Sequence, residues 1–266
     1  MNQILEGSRV ILLLGFLIFA SWSDYKNREV SNKVWVILGP ISLFLTGFQF
    51  LVYSPKPIQN LIFYVLSFGI TSALAIVIFY VGGFGGADAK ALMCIALALP
   101  VYPNNLLPRP LGFISPLFPI TIFTNGVLLG SLSVFYALFR NIIWIAKHKK
   151  SIFDGLENES FGKKLLALFS GYKINLNKIK NGHMFPLEDI EVNDERMEKR
   201  KLLVFPDDEE KEEIISKLLR NLEKEKLDAG IWATPGLPLL IFITLGSIIA
   251  LVYGDIVWIL ISSILG

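Results

Sequence analysis

Apolar residues run in long blocks along most of this chain, and the polar positions between them fall in short clusters. Crossing a bilayer as a helix takes about 20 mostly apolar residues, so stretches free of Asp, Glu, Lys and Arg mark candidate spans. Six occur, at 10–23, 34–55, 57–87, 91–108, 110–139 and 229–254. The first and fourth are short, so their helices are expected to extend into flanking polar residues. The first would then start near Ile4, setting Glu6 and Arg9 three apart on one helix face at the outer interface. No basic segment precedes it and "SWSDYK" lacks small cleavage-site residues, so it reads as a retained helix rather than a signal peptide.

The pattern changes between 147 and 232, where 17 basic and 18 acidic residues interrupt every apolar run. "KINLNKIK" alternates with period two and predicts a strand, as does "KLLVF" before Pro206. "DDEEKEEIISKLLRNLEKEKL" opens on acids and repeats Ile214, Ile215, Leu218, Leu219 and Leu222, which predicts an amphipathic helix. The expected architecture is an all-α polytopic membrane protein of six transmembrane helices, with a small α+β cytoplasmic insert between the fifth and sixth. Its divisions are 1–146 with five helices, 147–232 as the soluble insert, and 233–266 with the sixth helix and the C-terminal residues.

Composition agrees. Of 266 residues, 53% are hydrophobic and 18% charged, and mean hydropathy is +0.55, too apolar for an ordinary soluble domain. The links after the first, third and fifth helices carry eight Lys and Arg against three on the opposite side. By the positive-inside rule those links face the cytoplasm and both termini face outward. A single cysteine, Cys94, excludes an internal disulfide framework and a zinc site built on CxxC pairs, and is expected to pack as a small apolar side chain. His148 and His183, the only histidines, are isolated. No cofactor, resident metal or nucleic-acid partner is expected.

Outside the insert only five acidic residues remain: Glu6, Asp24, Glu29, Asp88 and Asp255. An ionisable group at membrane depth is costly and marks a functional site by default. Asp24 closes the first helix and Asp88 opens the fourth, which the topology places on the same face of the membrane at comparable depth. Singly, either could be a helix-end signal, Asp88 as an N-cap with Lys90 snorkelling to lipid phosphates. Together they form a pair of carboxylates that can share one proton, so that one activates water and the other protonates a leaving group. Gly82, Gly83, Gly85 and Gly86 remove side chains beside Asp88, permitting a bend and close backbone approach. They do not form a nucleotide loop, because no GK[ST] follows and no strand precedes.

The surrounding residues carry a resemblance. "SDYKNREVSN", with Asp24, Lys26, Arg28, Val30 and Asn32, is similar to the D-x-K-x-R-x-[IV]-x-N signature of type IV prepilin peptidases. "GGAD", Gly85 to Asp88, resembles the G-x-G-D signature of the same family of intramembrane aspartyl proteases, with Ala87 in place of the second glycine. The two motifs are independent and 64 residues apart. The resemblance implies an aspartic endopeptidase that removes a short basic leader from pilin-like or flagellin-like precursors at the cytoplasmic face, with Asp24 and Asp88 as the catalytic pair. It implies a substrate with a single apolar helix, unwound locally at the scissile bond, and a closing motion of the two aspartate-bearing helices. With one cysteine and a link of about ten residues after the first helix, the chain looks like the archaeal preflagellin or prepilin peptidase branch, without the bacterial members' zinc domain and N-methyltransferase activity. Lys26 and Arg28 could tune Asp24, though positive-inside topology alone would place them there. "TPGLP", with Pro235 and Gly236, resembles in placement the PAL motif of presenilin-like proteases and suggests a substrate-facing kink, although prolines opening helices are routine.

The competing expectation is a transporter or proton channel using Asp24 and Asp88 as relay carboxylates. That would favour carboxylates near the midplane and an internal repeat, and neither is visible. A purely structural membrane protein gives no reason for two aspartates aligned with motif glycines.

Overall fold

A computed structural model describes residues 1–83, 85–108, 113–149, 151–174, 179, 184–192, 198–203, 211–225, 230–236 and 238–265. The chain forms two units, Met1–Gly130 with Pro238–Gly266, and Ser131–Leu237.

The first unit is helical. α1 spans Asn2–Asn27 and stops where Arg28 adopts a left-handed conformation, φ 58°. α2, Asn32–Tyr53, starts behind Ser31, whose hydroxyl accepts from the Lys33 amide. α3, Pro57–Tyr80, opens on a proline at its first turn, where a missing N–H costs nothing. α4 is short, Gly86–Ala98, and α5 runs from Phe118 to His148, passing from the first unit into the second. After the second unit come α8, Leu239–Val252, and α9, Ile256–Leu265.

Helices α1, α2, α3 and α5 are long and apolar enough to cross a membrane, and α8 with α9 makes a fifth if that bent pair is one span. The core joins Leu13 and Leu17 of α1, Leu38 of α2, Ile95 of α4, Ile122 of α5 and Ile243 of α8. Cys94 is buried among them, the apolar role expected of it. Where α5 meets α8, Gly246 lies against Gly126: a Cβ at 246 would stand 2.6 Å from the Gly126 nitrogen and 2.8 Å from the Ile122 carbonyl oxygen. Small residues permit this backbone approach, which apolar packing alone rewards inside a membrane.

Three sequence expectations change here. The fourth apolar stretch, 91–108, yields a helix that begins earlier, at Gly86, and ends at Ala98, about 20 Å long against a hydrocarbon core of about 30 Å. Pro100 and Pro103 follow, and a proline disfavours helix in the residue before it. The sixth stretch is interrupted: its first residues form a strand, and its helix bends by 64° at Tyr253–Asp255. Gly254 takes φ 89° at the bend, and Asn125 satisfies the opened backbone on both sides, donating to the Gly254 carbonyl at 2.8 Å and accepting from the Ile256 amide at 2.9 Å. Glu6 and Arg9, expected at an outer interface, are buried, at 5% and 1% exposure.

The second unit is α+β. α6, Phe161–Ser170, is capped by the Ser160 hydroxyl accepting from the Lys163 amide. β1 (Tyr172–Ile174), β5 (Ile231–Pro235) and β2 (Met184–Pro186) form an antiparallel sheet in the order β1-β5-β2, with Tyr172 opposite Ala233 and Phe185 opposite Thr234. β3 (Glu188–Val192) pairs antiparallel with β4 (Glu198–Leu202). Of the predicted strands, 173–174 fall in β1 and 201–202 in β4; Ile179 is helical, Leu203 lies beyond β4, and residues 175–178, 180 and 204–206 lie outside the described residues. The predicted amphipathic helix is α7, Lys211–Glu225, which buries Ile214, Ile215 and Leu218. Glu188, fully buried, accepts from Arg200 and from the Trp232 amide at 2.9 Å. Burial holds the neighbouring Lys173 ammonium below the ordinary lysine range, a shift that the Glu188 charge opposes.

Candidate functional site

Asp24 sits in the last turn of α1, where its carbonyl accepts from the Arg28 amide at 2.9 Å. The Arg28 guanidinium interacts electrostatically with the Asp24 carboxylate. The turn that follows is closed by Ser23, whose hydroxyl donates to the Glu29 carbonyl at 2.7 Å. Asp88 lies in the first turn of α4, one of its oxygens accepting from the Gly85 amide at 3.1 Å. The capping role considered for this aspartate is therefore present, and it leaves the second carboxylate oxygen for other work. Gly85 is required for this arrangement, since a Cβ there would stand 3.1 Å from the same Asp88 oxygen.

Both aspartates are half-buried, and their carboxylates interact with each other electrostatically. They meet in unequal fields: Asp24 at the negative end of one helix beside Arg28, Asp88 at the positive end of another.

The other sequence candidates are placed as follows. Lys26 is exposed at the end of α1. Lys90, also exposed, donates to the Asn32 side-chain oxygen at 2.7 Å, linking the start of α4 to the start of α2. Asn32 closes the first motif, so this bond joins the two motifs through residues other than the aspartates. Gly86 stands at the start of α4, where a Cβ would meet the Phe79 ring at 3.7 Å. Pro235 and Gly236 belong to the second unit, at and just beyond the end of β5, whereas the aspartates belong to the first. Pro235 pairs with Met184 in the sheet, and the helix that follows begins only at Leu239.

An apolar groove of about 360 Å³ lies between α1 and α8, walled by Ile18, Trp22 and Tyr25 on one side and Ile241 and Leu245 on the other. At its base Ser21 and Thr244 share a hydrogen bond of 2.7 Å. Ser21 is one helical turn from Asp24. Sequence reasoning did not find this groove; the paired aromatic residues in "SWSDYK" were the available signal. Among the described residues no group of three or more His, Cys, Asp or Glu is placed to hold a metal ion.

Comparison with known proteins covers both units. Residues 11–143 match the type IV leader peptidase family, and residues 163–256 match the family described as archaeal peptidase A24 C-terminus type II. The chain is 30% identical to the preflagellin peptidase of Methanococcus maripaludis over 249 residues, 90% of this chain and 92% of that protein. It is 30% identical to the preflagellin peptidase of Methanococcus voltae, covering 91% and 93%. The preflagellin peptidase of Methanocaldococcus jannaschii is 26% identical, covering 90% and 91%.

Proposed function

The chain belongs to the type IV leader peptidase family, and from that premise we propose that it removes the leader peptide of preflagellin or a related pilin-like precursor by aspartyl proteolysis at the membrane. The observation that carries the chemistry is that Asp24 and Asp88 stand at two separate helix ends, half-buried, with the Asp24 charge acting on the Asp88 carboxyl. One carboxylate takes a proton from water as the oxygen attacks the scissile carbonyl. The other, protonated, donates to the carbonyl oxygen; proton return to the amide nitrogen then releases the leader. The relatives' printed activity supports the substrate class. It lends nothing to the alternative of a transporter with relay carboxylates.

Six crossings remain the preferred topology. α4 supplies the fourth despite its length, because the irregular chain that continues it is enclosed by protein at Leu99 and Tyr102, and non-helical backbone is tolerated at membrane depth only under such cover. The basic links after the first, third and fifth crossings put Asp24 and Asp88 at the cytoplasmic face, both termini outside, and the insert at 147–232 in the cytoplasm. Arg28 acts on the Asp24 carboxylate, Lys26 and Lys90 add positive charge at the same two helix ends, and Gly85 and Gly86 leave room for an extended substrate backbone. Pro235 and Gly236 lead into α8, one wall of the groove in which the precursor's apolar helix would lie. Hydrolysis by this pair needs no cofactor, and methyl transfer is not part of the reaction.

The test is cleavage of a preflagellin-like precursor by membranes containing wild type, Asp24→Asn or Asp88→Asn, with folding checked for each. Loss in both folded variants is expected. Full activity in either would remove that residue from the chemistry.

A further inference from the structure

The C-terminal end of α4 presents carbonyls that no helical N–H can reach, as every helix end does. Here side chains from three other helices take them. The Arg9 guanidinium of α1 donates to the Ala98 carbonyl at 3.1 Å and to the Thr46 hydroxyl at 3.2 Å. That hydroxyl, on α2, lies 2.8 Å from the Leu97 carbonyl oxygen and 3.3 Å from that of Ala98. From α3, the Tyr64 hydroxyl donates to Leu97 at 3.0 Å and the Ser67 hydroxyl to Pro100 at 3.3 Å. Glu6, one turn before Arg9, accepts from the amide and side chain of Asn105 at 2.9 and 2.8 Å, and so holds the chain leaving α4.

This is a costly way to finish a helix. Arg9 is buried at 1% exposure, and its Nε has no hydrogen-bond partner among the described residues. Burying a charge is costly unless hydrogen bonds satisfy it, and the best-attested use of buried polar groups is to fix register. α4 needs its register fixed. Its sequence, GADAKALMCIALA, is small or apolar apart from Asp88 and Lys90, so beyond its first turn the helix itself carries no charged side chain to fix its position along the axis. Asp88 rides on that axis about 15 Å from Ala98, and Asp24 stands about 22 Å from Arg9 along α1.

We infer that Arg9, seated with Thr46 on the terminal carbonyls of α4, is a positioning residue that sets the depth of Asp88 relative to Asp24. The inference rests on the paired-aspartate reading for its catalytic consequence but not for the positioning itself. An error of about 1 Å in such a pair costs roughly 100-fold in rate.

Two readouts on the full-length chain in membranes test it. In cleavage assays normalised to folded protein, Arg9→Met lowers kcat about 100-fold with KM held within about twofold, and Arg9→Lys recovers at least about tenfold of that loss. In a Cys94→Ala background, cysteines replacing Asn32 and Lys90, whose side chains touch in the wild type, crosslink readily with Arg9 present and several-fold less with Arg9→Met. Unchanged kcat per folded molecule, or unchanged crosslinking, would overturn the inference. Should Arg9→Met fail to fold, Thr46→Val carries the same test: a smaller loss in both readouts is expected, and no change in either is the contrary result. If Asp88→Asn proves active, the protease reading falls while the crosslinking arm still decides whether Arg9 positions α4.

Discussion

The two ends of the helical unit are held in opposite styles. At the end with Asp24 and Asp88, one buried tie, Ser21 to Thr244, joins α1 to α8 a turn below Asp24, while the tie beside Asp88, Lys90 to Asn32, is exposed. At the other end, buried polar groups of α1, α2 and α3 interlock on the last residues of α4. The same helix is thus clamped at one end and lightly held at the other, where glycines replace bulk. On the proposed mechanism an extended peptide must enter between two carboxylates, which calls for freedom at that end, and the freedom is useful only if the far end does not drift.

Substitutions at each end should separate these roles. The largest effect belongs to the working end: Asp24→Asn or Asp88→Asn should cost about 10²–10⁴-fold in precursor cleavage while leaving thermal stability in detergent near that of wild type. At the clamped end the balance reverses. Glu6→Gln removes the charge that accepts from the Asn105 amide and side chain and acts on buried Arg9, and stability should fall by about 1–3 kcal/mol, read as a lowered melting temperature or reduced resistance to denaturant. If Glu6→Gln melted like wild type, the two ends would not differ as described. Gly246→Ala forces a methyl group against the α5 backbone and should cost about 1–3 kcal/mol. Gly85→Ala is the sharper probe of the working end. It should cost only about 0.5–1 kcal/mol of stability yet displace the Asp88 oxygen it crowds, so activity falls further than stability does.

The smallest effect contrasts the clamp with a buried cation that has no such task. The Lys173 ammonium stands over the Trp144 ring with no hydrogen-bond partner among the described residues, and burial depresses its pKa from 10.5. The folded state therefore binds fewer protons than the unfolded state as pH approaches 10.5 from below, and the second unit should gain stability across that window. Lys173→Met should abolish the gain and leave neutral-pH stability between unchanged and about 1 kcal/mol higher, measured by melting curves against pH.

Much of this was legible along the chain. Asp24 and Asp88 stood out because charge is scarce between apolar blocks, and α7 because its apolar positions recur with helical spacing. What escaped depended on partners distant in sequence. Glu6 and Arg9 have the spacing of a surface pair, and only Thr46, Gln49, Ala98 and Asn105 turn them into a buried lattice. β5 was hidden because a fully buried strand and a membrane helix are both continuous apolar runs. The early end of α4 was signalled by Pro100 and Pro103, yet hydropathy continues smoothly past them.

The clamp also bears on biogenesis. α4 is about 20 Å long and carries Asp88 and Lys90, a poor candidate for partitioning into a bilayer unaided. Arg9, Thr46, Tyr64 and Ser67, which receive its end, all precede it in the chain. Synthesis therefore delivers the side chains that receive α4 ahead of α4 itself, so the helix least able to insert alone is the one whose partners come first.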